Sequence, residues 1–534
     1  MRKEFKRSYI APFFAFGFLA SFYSPAFAQT YLDFIGVNLL RETTTNLNGS
    51  GVRVAQPEGY DPYTPPGTNT WEVNPSSVQQ PTNLFTYTSS SGVANTFTNS
   101  VGLQSGHADS VAYYFYGIYG DEATNVAHVD NYDADYFYND IIGATLPSNI
   151  GDTVVNQSFS FGDLSASDQE TADSDYDNYT WQYETLFVSA VNNGGQVCAP
   201  GTSYNCIGVG AYGGSSSVGP TIDNGRCKPD IVAPASETSY STPQVAGAAA
   251  VLIQAALRGD GGSNTNAAAD IRTIKALLLN GAVKPLDWTN STSSPLDARY
   301  GAGILNLFNS YQQFIGGQHS YGVSNSVSQG AAHLPPTPTG VIPAMNGWNF
   351  GSISSSTDGI LSTAADGLEN YFFTLTNAGF NLTATLVWER HKSQAGINNL
   401  ALFLYNCANS NLITCCTSAV DNVQHIFVPQ LPQGTYDLQV WKSGNANNYV
   451  SSSETNALVW SFSSTSMAVT PAGSNINLSW PAYPAGFALA TATNLGSSTV
   501  WNTNNLPFPA YTNGLETVTL PATNSAQFFQ LIPP

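Results

Sequence analysis

An alternation of short apolar runs with helix-like stretches, between residues 51 and 310, constrains the fold most strongly. The apolar runs have the length of strands, and the stretches between them are longer and amphipathic. Such alternation predicts an α/β fold, a doubly wound parallel sheet with helices on both faces and ligand sites at the carboxyl ends of strands. The expected strands are Val52–Ala55, Asn125–Val129, Thr153–Asn156, Leu186–Val191 and Ile207–Ala211, and the expected helices are Asp109–Tyr116, Ala134–Ile142, Asp173–Glu184, Pro243–Leu257 and Ile271–Asn280.

After Gly317 this alternation gives way to strand-like runs separated by turn residues. Proline-rich residues 331–338 predict a linker, and the runs that follow predict all-β sandwich modules. A second break lies at Thr470–Gly473. The expected organisation is therefore an α/β domain ending at residue 330, a jelly-roll-like β-sandwich at 339–466 and a small all-β module at 467–534.

The N-terminus has the pattern of a secretion signal. Four basic residues among the first seven precede the apolar run Tyr9–Tyr23, and Ala26-Phe27-Ala28 fits small-x-small cleavage. We therefore expect a signal peptide at residues 1–28 and a secreted, extracellular chain that begins at Gln29. A membrane anchor is the alternative, but the apolar run is short, is interrupted by Pro12 and is followed by Pro25, so membrane insertion is not expected.

The composition excludes two classes of binding partner. The net charge is -20, with 16 Lys plus Arg residues, which argues against nucleic acid or anionic lipid as a partner. Export makes the six cysteines potential disulfides, and we expect one local bridge in each of two groups, although sequence cannot choose among the 15 pairings. The groups are Cys198, Cys206 and Cys227, and Cys407, Cys415 and Cys416.

The segment Glu237–Leu257 joins a Ser- and Thr-rich turn to a helix of small residues. Ser239 there is either a capping residue or a nucleophile at the positive end of a helix. The surrounding sequence resembles the serine segment of the subtilisin-like serine peptidases, the subtilases, and the resemblance implies that Ser239 is the nucleophile. The matching pieces are Lys228–Pro234, Thr238-Ser239, Thr242-Pro243 and Val245–Gly247.

Two further segments resemble the family's histidine helix and first strand. Gly106–Ala112 resembles the helix that a catalytic histidine opens, which implies His107 as the general base. Gly49–Gly59 resembles the strand that ends in the catalytic aspartate, and Glu58 occupies that place. A glutamate is one methylene longer but can still accept a hydrogen bond from the imidazole. Asp61 is the alternative acid.

The resemblance also implies an oxyanion donor and a substrate segment. Phe187–Gly194 resembles the strand that ends in the oxyanion asparagine, which makes Asn192 the donor, or Asn193 if the register slips by one residue. Val155–Ser160 resembles the strand that pairs with the peptide. The implied substrate-binding residues are Ser158, Phe159 and Ser160.

These resemblances imply a subtilisin-like catalytic domain and a serine endopeptidase that acts on proteins or peptides with a Ser-His-Glu triad. With the signal peptide we expect the enzyme to be secreted, and we expect it to be a monomer. No cofactor is required, although structural calcium is possible. Glu237 departs from the family, which usually has Gly before the Thr-Ser pair. Glu237 and Glu58 are the departures that support the alternative, a catalytically impaired relative that binds protein or glycan through its β modules, but the retention of Ser239, His107 and Asn192 argues against it. A polysaccharide hydrolase would need two carboxylates across a cleft, and no clear pair emerges.

Overall fold

The computed structural model describes residues 30–60, 69–119, 122–357, 364–448, 450–496, 499–504, 506–522 and 526–533. The expected signal peptide and the alternative acid Asp61 lie outside these ranges, so both stay predictions. Among the described helices, none combines the length and the apolar composition needed to cross a bilayer.

From residue 30 to residue 314, the described part of the chain alternates strands and helices as expected. The strands are β1 (Arg53–Glu58), β2 (Thr70–Glu72), β3 (Phe85–Thr88), β4 (Leu103–Gln104), β5 (His128–Asp133), β6 (Val154–Gln157), β7 (Leu186–Ala190), β8 (Ile207–Tyr212) and β9 (Ile231–Pro234). The helices are α1 (Tyr31–Phe34), α2 (Val37–Thr43), α3 (Gly106–Phe115), α4 (Ala134–Tyr136, continued by a π-helical turn, Phe137–Ile142), α5 (Ala166–Tyr183), α6 (Thr238–Arg258), α7 (Thr265–Ala269), α8 (Ile271–Gly281) and α9 (Leu307–Phe314).

A seven-stranded sheet in the order β3-β5-β1-β6-β7-β8-β9 forms the centre of this part. Every neighbouring pair in it is parallel, which confirms the predicted fold class. Since β1, β6 and β7 are adjacent, their carboxyl ends lie side by side at one edge of the sheet. Such an edge is where α/β proteins place their ligands.

Helix α6 is almost entirely buried. Its small residues Ala248, Ala249 and Ala250 are fully buried, so the helix can pack closely against α3 and the central strands. Pro243 lies inside this helix, beyond the first turn in which we expected it. Because proline has no N–H, it leaves the carbonyl of residue 239, one turn back, without its helical donor.

Helix α5 begins at Ala166, about two turns before the predicted start at Asp173. Ser165 caps it by accepting a hydrogen bond from the backbone of Asp168. The apolar pattern missed these turns because the buried face of the helix is polar, with Gln169, Asp173 and Asp177 among its buried residues.

The remaining strands follow residue 320. They are β10 (Val323–Ser328), β11 (Asn346–Ser354), β12 (Ala365–Leu375), β13 (Phe380–Trp388), β14 (Leu400–Asn406), β15 (Asn411–Cys416), β16 (Val423–Leu431), β17 (Gly434–Lys442), β18 (Ser453–Ser463), β19 (Ala468–Ala472), β20 (Asn475–Pro481), β21 (Ala488–Ala492), β22 (Ala510–Thr512), β23 (Leu515–Pro521) and β24 (Phe528–Ile532).

Two antiparallel sheets, β10-β12-β17-β14-β15 and β11-β18-β13-β16, share one hydrophobic core. The ring of Tyr371 from the first sheet lies 5.9 Å from that of Trp460 in the second, so the sheets pack face to face as a sandwich. Strand β10 pairs with β12, and the sandwich therefore begins before the expected linker at 331–338. The C-terminal module pairs β19-β20-β23-β22 and β21-β24 around Leu478 and Trp480.

The sandwich is joined to the α/β part through buried polar contacts. Thr385 donates to the Oδ1 of Asn280 on α8 at 2.8 Å. The guanidinium of Arg390 lies 3.4 Å from the carboxylate of Asp177 on α5. The backbone N–H of Arg390 donates to Asn205 Oδ1 at 2.8 Å. Buried charges need such partners, so these contacts fix how the two parts meet.

All six cysteines are free thiols, so the expected bridge in each group is wrong for this structure. Cys415 and Cys416 are neighbours on β15, where successive side chains point to opposite faces and cannot meet. The Sγ of Cys206 instead donates to the carbonyls of Pro200 and Ser203, at 3.3 and 3.2 Å.

Candidate active site

Ser239 is the second residue of α6 and only 8% exposed. Its Oγ donates to the carbonyl of Ser158, just beyond β6, at 3.3 Å. The Oγ of Ser158 in turn donates to the carbonyl of Ser239 at 2.9 Å. This carbonyl lacks its helical donor because of Pro243. The hydrogen bond from Ser158 satisfies it and joins the start of α6 to the edge of the sheet.

A buried acid holds the candidate base. Nδ1 of His107, at the start of α3, lies 3.0 Å from Oε2 of Glu58. The Glu58 side chain is 1% exposed and that of His107 is 22% exposed. A carboxylate only accepts hydrogen bonds, so this contact places the proton on Nδ1 and leaves Nε2 as the accepting nitrogen. Ser105 caps α3 through the backbone of Ala108 and so fixes where the helix begins.

A buried amide holds Glu58 from the other side. Nε2 of Gln56 donates to Oε1 of Glu58 at 3.0 Å and to the carbonyl of Ala108 at 3.0 Å. The hydroxyl of Tyr116 donates to Oε1 of Gln56 at 2.5 Å. Both carboxylate oxygens of Glu58 are therefore engaged. Sequence reasoning missed Gln56, although its spacing of two from Glu58 on one strand places both on the same face.

His107 and Ser239 lie on neighbouring helices, because α3 packs against α6. The imidazole of His107 is 6.2 Å, ring centre to ring centre, from Tyr240, the residue after Ser239. Tyr240 also contacts Tyr114 of α3, with ring centres 5.9 Å apart. The structure thus brings Glu58 and His107 together and places Ser239 next to Tyr240, whose ring lies near His107.

The two asparagines after β7 have different partners. Nδ2 of Asn192 donates to the carbonyl of Gly194 at 3.1 Å and to Cys198 Sγ at 3.5 Å. Asn193 is turned towards α6 instead, and its Oδ1 accepts from Thr238 N at 2.8 Å and from Thr238 Oγ1 at 2.7 Å. Asn193, the alternative register, is therefore the asparagine whose amide lies against the start of α6.

The three predicted substrate-binding residues follow β6. Ser158 contacts Ser239 directly, whereas the Phe159 ring is 9% exposed and stacks on Phe161 at 6.1 Å between ring centres. Ser160 is partly exposed. The backbone of Phe161 then donates to the carbonyl of Ala199 at 2.8 Å, so this segment runs beside the one that follows β7.

Glu237 occupies the N-cap position of α6, but its side chain makes no capping hydrogen bond. Within the described ranges, no group of three His, Cys, Asp or Glu residues is arranged to hold a metal ion. Structural calcium stays a prediction, and the acid, imidazole and hydroxyl are the reactive groups at this edge.

The sequence model of the subtilase family, peptidase S8, matches residues 88–303. This stretch is a subtilase domain. The match includes His107, both asparagines and Ser239, whereas Glu58 precedes it. The assignment of Glu58 as the acid therefore rests on its geometry and not on the family match.

Solved structures similar to the chain include proteases. The prenylagaramide maturation protease PagA is 18% identical, with a TM-score of 0.33, over 52% of this chain and 98% of its own. The PatG macrocyclase in complex with peptide is 15% identical, with a TM-score of 0.35, over 55% and 99%. Tripeptidyl peptidase 2 is 12% identical, with a TM-score of 0.30, over 75% and 44%. No curated protein sequence matches the chain with significance. Because these TM-scores are low, the subtilase assignment rests on the family match.

Proposed function

We propose that the protein is a serine endopeptidase that hydrolyses peptide bonds through an acyl-enzyme, with Ser239 as nucleophile, His107 as base and Glu58 as the orienting acid. The buried contact of 3.0 Å between Glu58 Oε2 and His107 Nδ1 carries the proposal. A buried acid hydrogen-bonded to a partly exposed imidazole, near a serine at a helix start, is the arrangement that activates a hydroxyl.

In the proposed reaction, His107 accepts the Ser239 proton at Nε2 while Oγ attacks the substrate carbonyl. The hydroxyl must first leave the carbonyl of Ser158, to which it now donates, and rotation about one side-chain bond achieves this. Catalytic hydrogen bonds commonly tighten only when substrate is bound. The protonated imidazole then gives its proton to the leaving amine, and water, activated by the same nitrogen, hydrolyses the ester.

We assign the oxyanion role to Asn193 rather than Asn192. Two hydrogen bonds from Thr238 fix Oδ1 of Asn193, which orients the amide at the start of α6. In the described part of the chain, Nδ2 of Asn193 has no hydrogen-bond partner, so it is free to donate. The N–H of Ser239 belongs to the first turn of α6, whose donors lack helical partners, and supplies the second hydrogen bond.

The chain is exported after removal of residues 1–28, acts on proteins or peptides as a monomer, and needs no cofactor for the chemistry. Its β modules stabilise the catalytic part through contacts such as that of Thr385 with Asn280.

The test is hydrolysis of denatured casein by the purified mature chain. We expect activity that is lost in Ser239→Ala and after treatment with a serine-directed phosphonate. Ser236→Ala is the matched control, because Ser236 is exposed and lies just outside α6. Absence of hydrolysis by well-folded protein between pH 4 and 9 would overturn the proposal and favour the binding protein.

A further inference from the structure

A cavity of about 410 Å³ lies where three parts of the chain meet. One wall comes from α1 and α2, and a second from Val283, Ile304 and Asn306 of the α/β part. The third comes from positions between 485 and 516 of the C-terminal module. The volume falls within the range of about 300 to 1,000 Å³ that is typical of small-molecule sites. None of the lining residues belongs to the candidate active site.

Helix α9 fixes the walls of this cavity relative to one another. The N–H of Leu307, at the start of α9, donates to the carbonyl of Ile35 just after α1, at 2.8 Å. Two hydrogen bonds join the side chain of Asn309 to the backbone of Ala485. Oδ1 accepts from its N–H at 2.8 Å, and Nδ2 donates to its carbonyl at 3.3 Å. The cavity is therefore bounded by elements that are held in place, as a preformed ligand site requires.

The lining combines carboxylates with aromatic rings. The acidic residues are Asp33, Glu42 and Glu516, and the aromatic residues are Phe34, Phe487, Phe508 and Tyr511. No lysine, arginine or histidine is found among the lining residues that the structure describes. Asp33 already accepts from Asn38 at 2.6 Å. Within the described ranges, neither Glu42 nor Glu516 has an ion-pair partner, so the cavity has negative charge that the protein itself does not balance.

Glu516 is the carboxylate best placed to hold a ligand. It is partly buried on β23, between Trp480 of β20 and Tyr511 of β22. Nε1 of Trp480 donates to its Oε2 at 2.5 Å, and none of the described residues donates to its Oε1. Burial raises the pKa of Glu516 to about 7, and the charge of Glu42 adds to the shift. A cation in the cavity would supply the missing donor and oppose the repulsion between the two acids.

We propose that this cavity binds a small amphipathic ammonium compound, whose cation pairs with Glu516 and Glu42 and whose carbon skeleton packs against the aromatic walls. An ammonium group has three donors and no acceptor, which suits carboxylate oxygens. Aromatic faces attract the same cation, whereas an anionic compound would be repelled. The inference goes beyond the proposed function and does not depend on it, because no step of the proposed hydrolysis uses these residues.

The first experiment measures the binding of three matched probes to the mature chain by calorimetry. The probes are phenethylammonium, 2-phenylethanol, which replaces the ammonium with a hydroxyl, and 3-phenylpropionate, which reverses the charge. At pH 8 we expect a dissociation constant of about 1 mM or lower for the ammonium. Binding of the alcohol should be roughly 10-fold weaker or more, and the propionate should give no binding heat.

The pH dependence of binding tests the part played by Glu516. Lowering the pH from 8 to 6 should weaken ammonium binding by up to about 10-fold, because Glu516 then takes up a proton. The other titratable groups that line the cavity are Asp33 on α1, Glu42 on α2 and Tyr511 on β22. Glu516→Gln should therefore remove this dependence between pH 6 and 8.

Two sets of variants test the cavity itself. Glu516→Gln keeps an oxygen that can accept from Trp480, and combined with Glu42→Gln it should bring the ratio of ammonium to alcohol affinity close to one. Ala488→Trp places an indole at an exposed lining position and should abolish the binding of both probes without removing a charge. Asp287→Asn, which removes an exposed carboxylate outside the cavity, is the matched control and should bind as the wild type does.

Thermal unfolding of each variant verifies that it is folded. Equal affinity for the ammonium and the alcohol, or no binding heat with any probe on the folded wild type, would overturn the inference. So would ammonium binding that the paired glutamine variant or Ala488→Trp leaves intact. Casein hydrolysis is the separate readout of the proposed function. Ser239→Ala should bind the probes as the wild type does, so the failure of one proposal leaves the other standing.

Discussion

Replacing Glu58 with glutamine tests whether this residue serves as the acid of the triad. Both carboxylate oxygens accept a hydrogen bond at 3.0 Å, Oε1 from Gln56 Nε2 and Oε2 from His107 Nδ1. A glutamine side chain at position 58 has one accepting oxygen and one donating nitrogen. If its nitrogen faces Gln56, two donors oppose each other in a buried site. If its nitrogen faces His107, the imidazole must move its proton to Nε2 and can no longer act as a base.

The change in tautomer sets the size of the effect. The corresponding amide substitution in a serine protease triad lowers kcat about 10⁴-fold while leaving the geometry intact. We therefore expect Glu58→Gln to lower kcat by about 10³- to 10⁴-fold, with little change in KM. Steady-state hydrolysis of a peptide substrate measures this, and near-ultraviolet circular dichroism verifies the fold.

Glu58→Asp is the companion variant. It keeps the charge but withdraws the carboxylate by about one carbon–carbon bond, roughly 1.5 Å, so a contact of 3.0 Å would exceed hydrogen-bond range. We expect intermediate activity, above that of Glu58→Gln. A Glu58→Gln variant with more than a tenth of wild-type kcat would refute the assignment of Glu58.

Two further predictions concern the oxyanion and the pH dependence of stability. Asn193→Ala should lower kcat about 10²- to 10³-fold, whereas Asn192→Ala should lower kcat far less. Equal losses of kcat in the two variants would contradict the assignment of Asn193 as the oxyanion donor. Burial raises the pKa of Glu369 to about 7, although Tyr371 donates to it. The folded state therefore binds more protons at Glu369 between the ordinary value of 4.5 and 7, so this residue's contribution to the free energy of unfolding falls by up to about 3 kcal/mol as pH rises through that window. Glu369→Gln should make the pH dependence of denaturant unfolding between pH 4.5 and 8 shallower by this amount, and an unchanged slope would contradict the assignment.

The parallel sheet could be predicted from the sequence because strand length and helix length alternate so regularly. The resemblance of three short segments to the subtilases sufficed to nominate Glu58, His107 and Ser239. Predicted helix boundaries are less accurate where the buried face of a helix is polar. The predicted start of α5 is too late for this reason, since the first turns of the helix bury Gln169 rather than an apolar stripe.

The finer contacts of the site could not be predicted from the sequence. The pair Asn192-Asn193 offers two equivalent side chains, and only the hydrogen bonds from Thr238 distinguish them. The role of Pro243 depends on its depth within α6, because only beyond the first turn does proline leave a carbonyl for Ser158 to satisfy. No local pattern in the sequence encodes either contact.

Active-site labelling tests the central claim, that Ser239 is an activated nucleophile. The mature chain is treated with a fluorophosphonate, digested and mapped by mass spectrometry. We predict one adduct, on Ser239, that disappears after heat denaturation and is strongly reduced in His107→Ala. No adduct on Ser239 in folded protein, or labelling that His107→Ala leaves unchanged, would contradict the account.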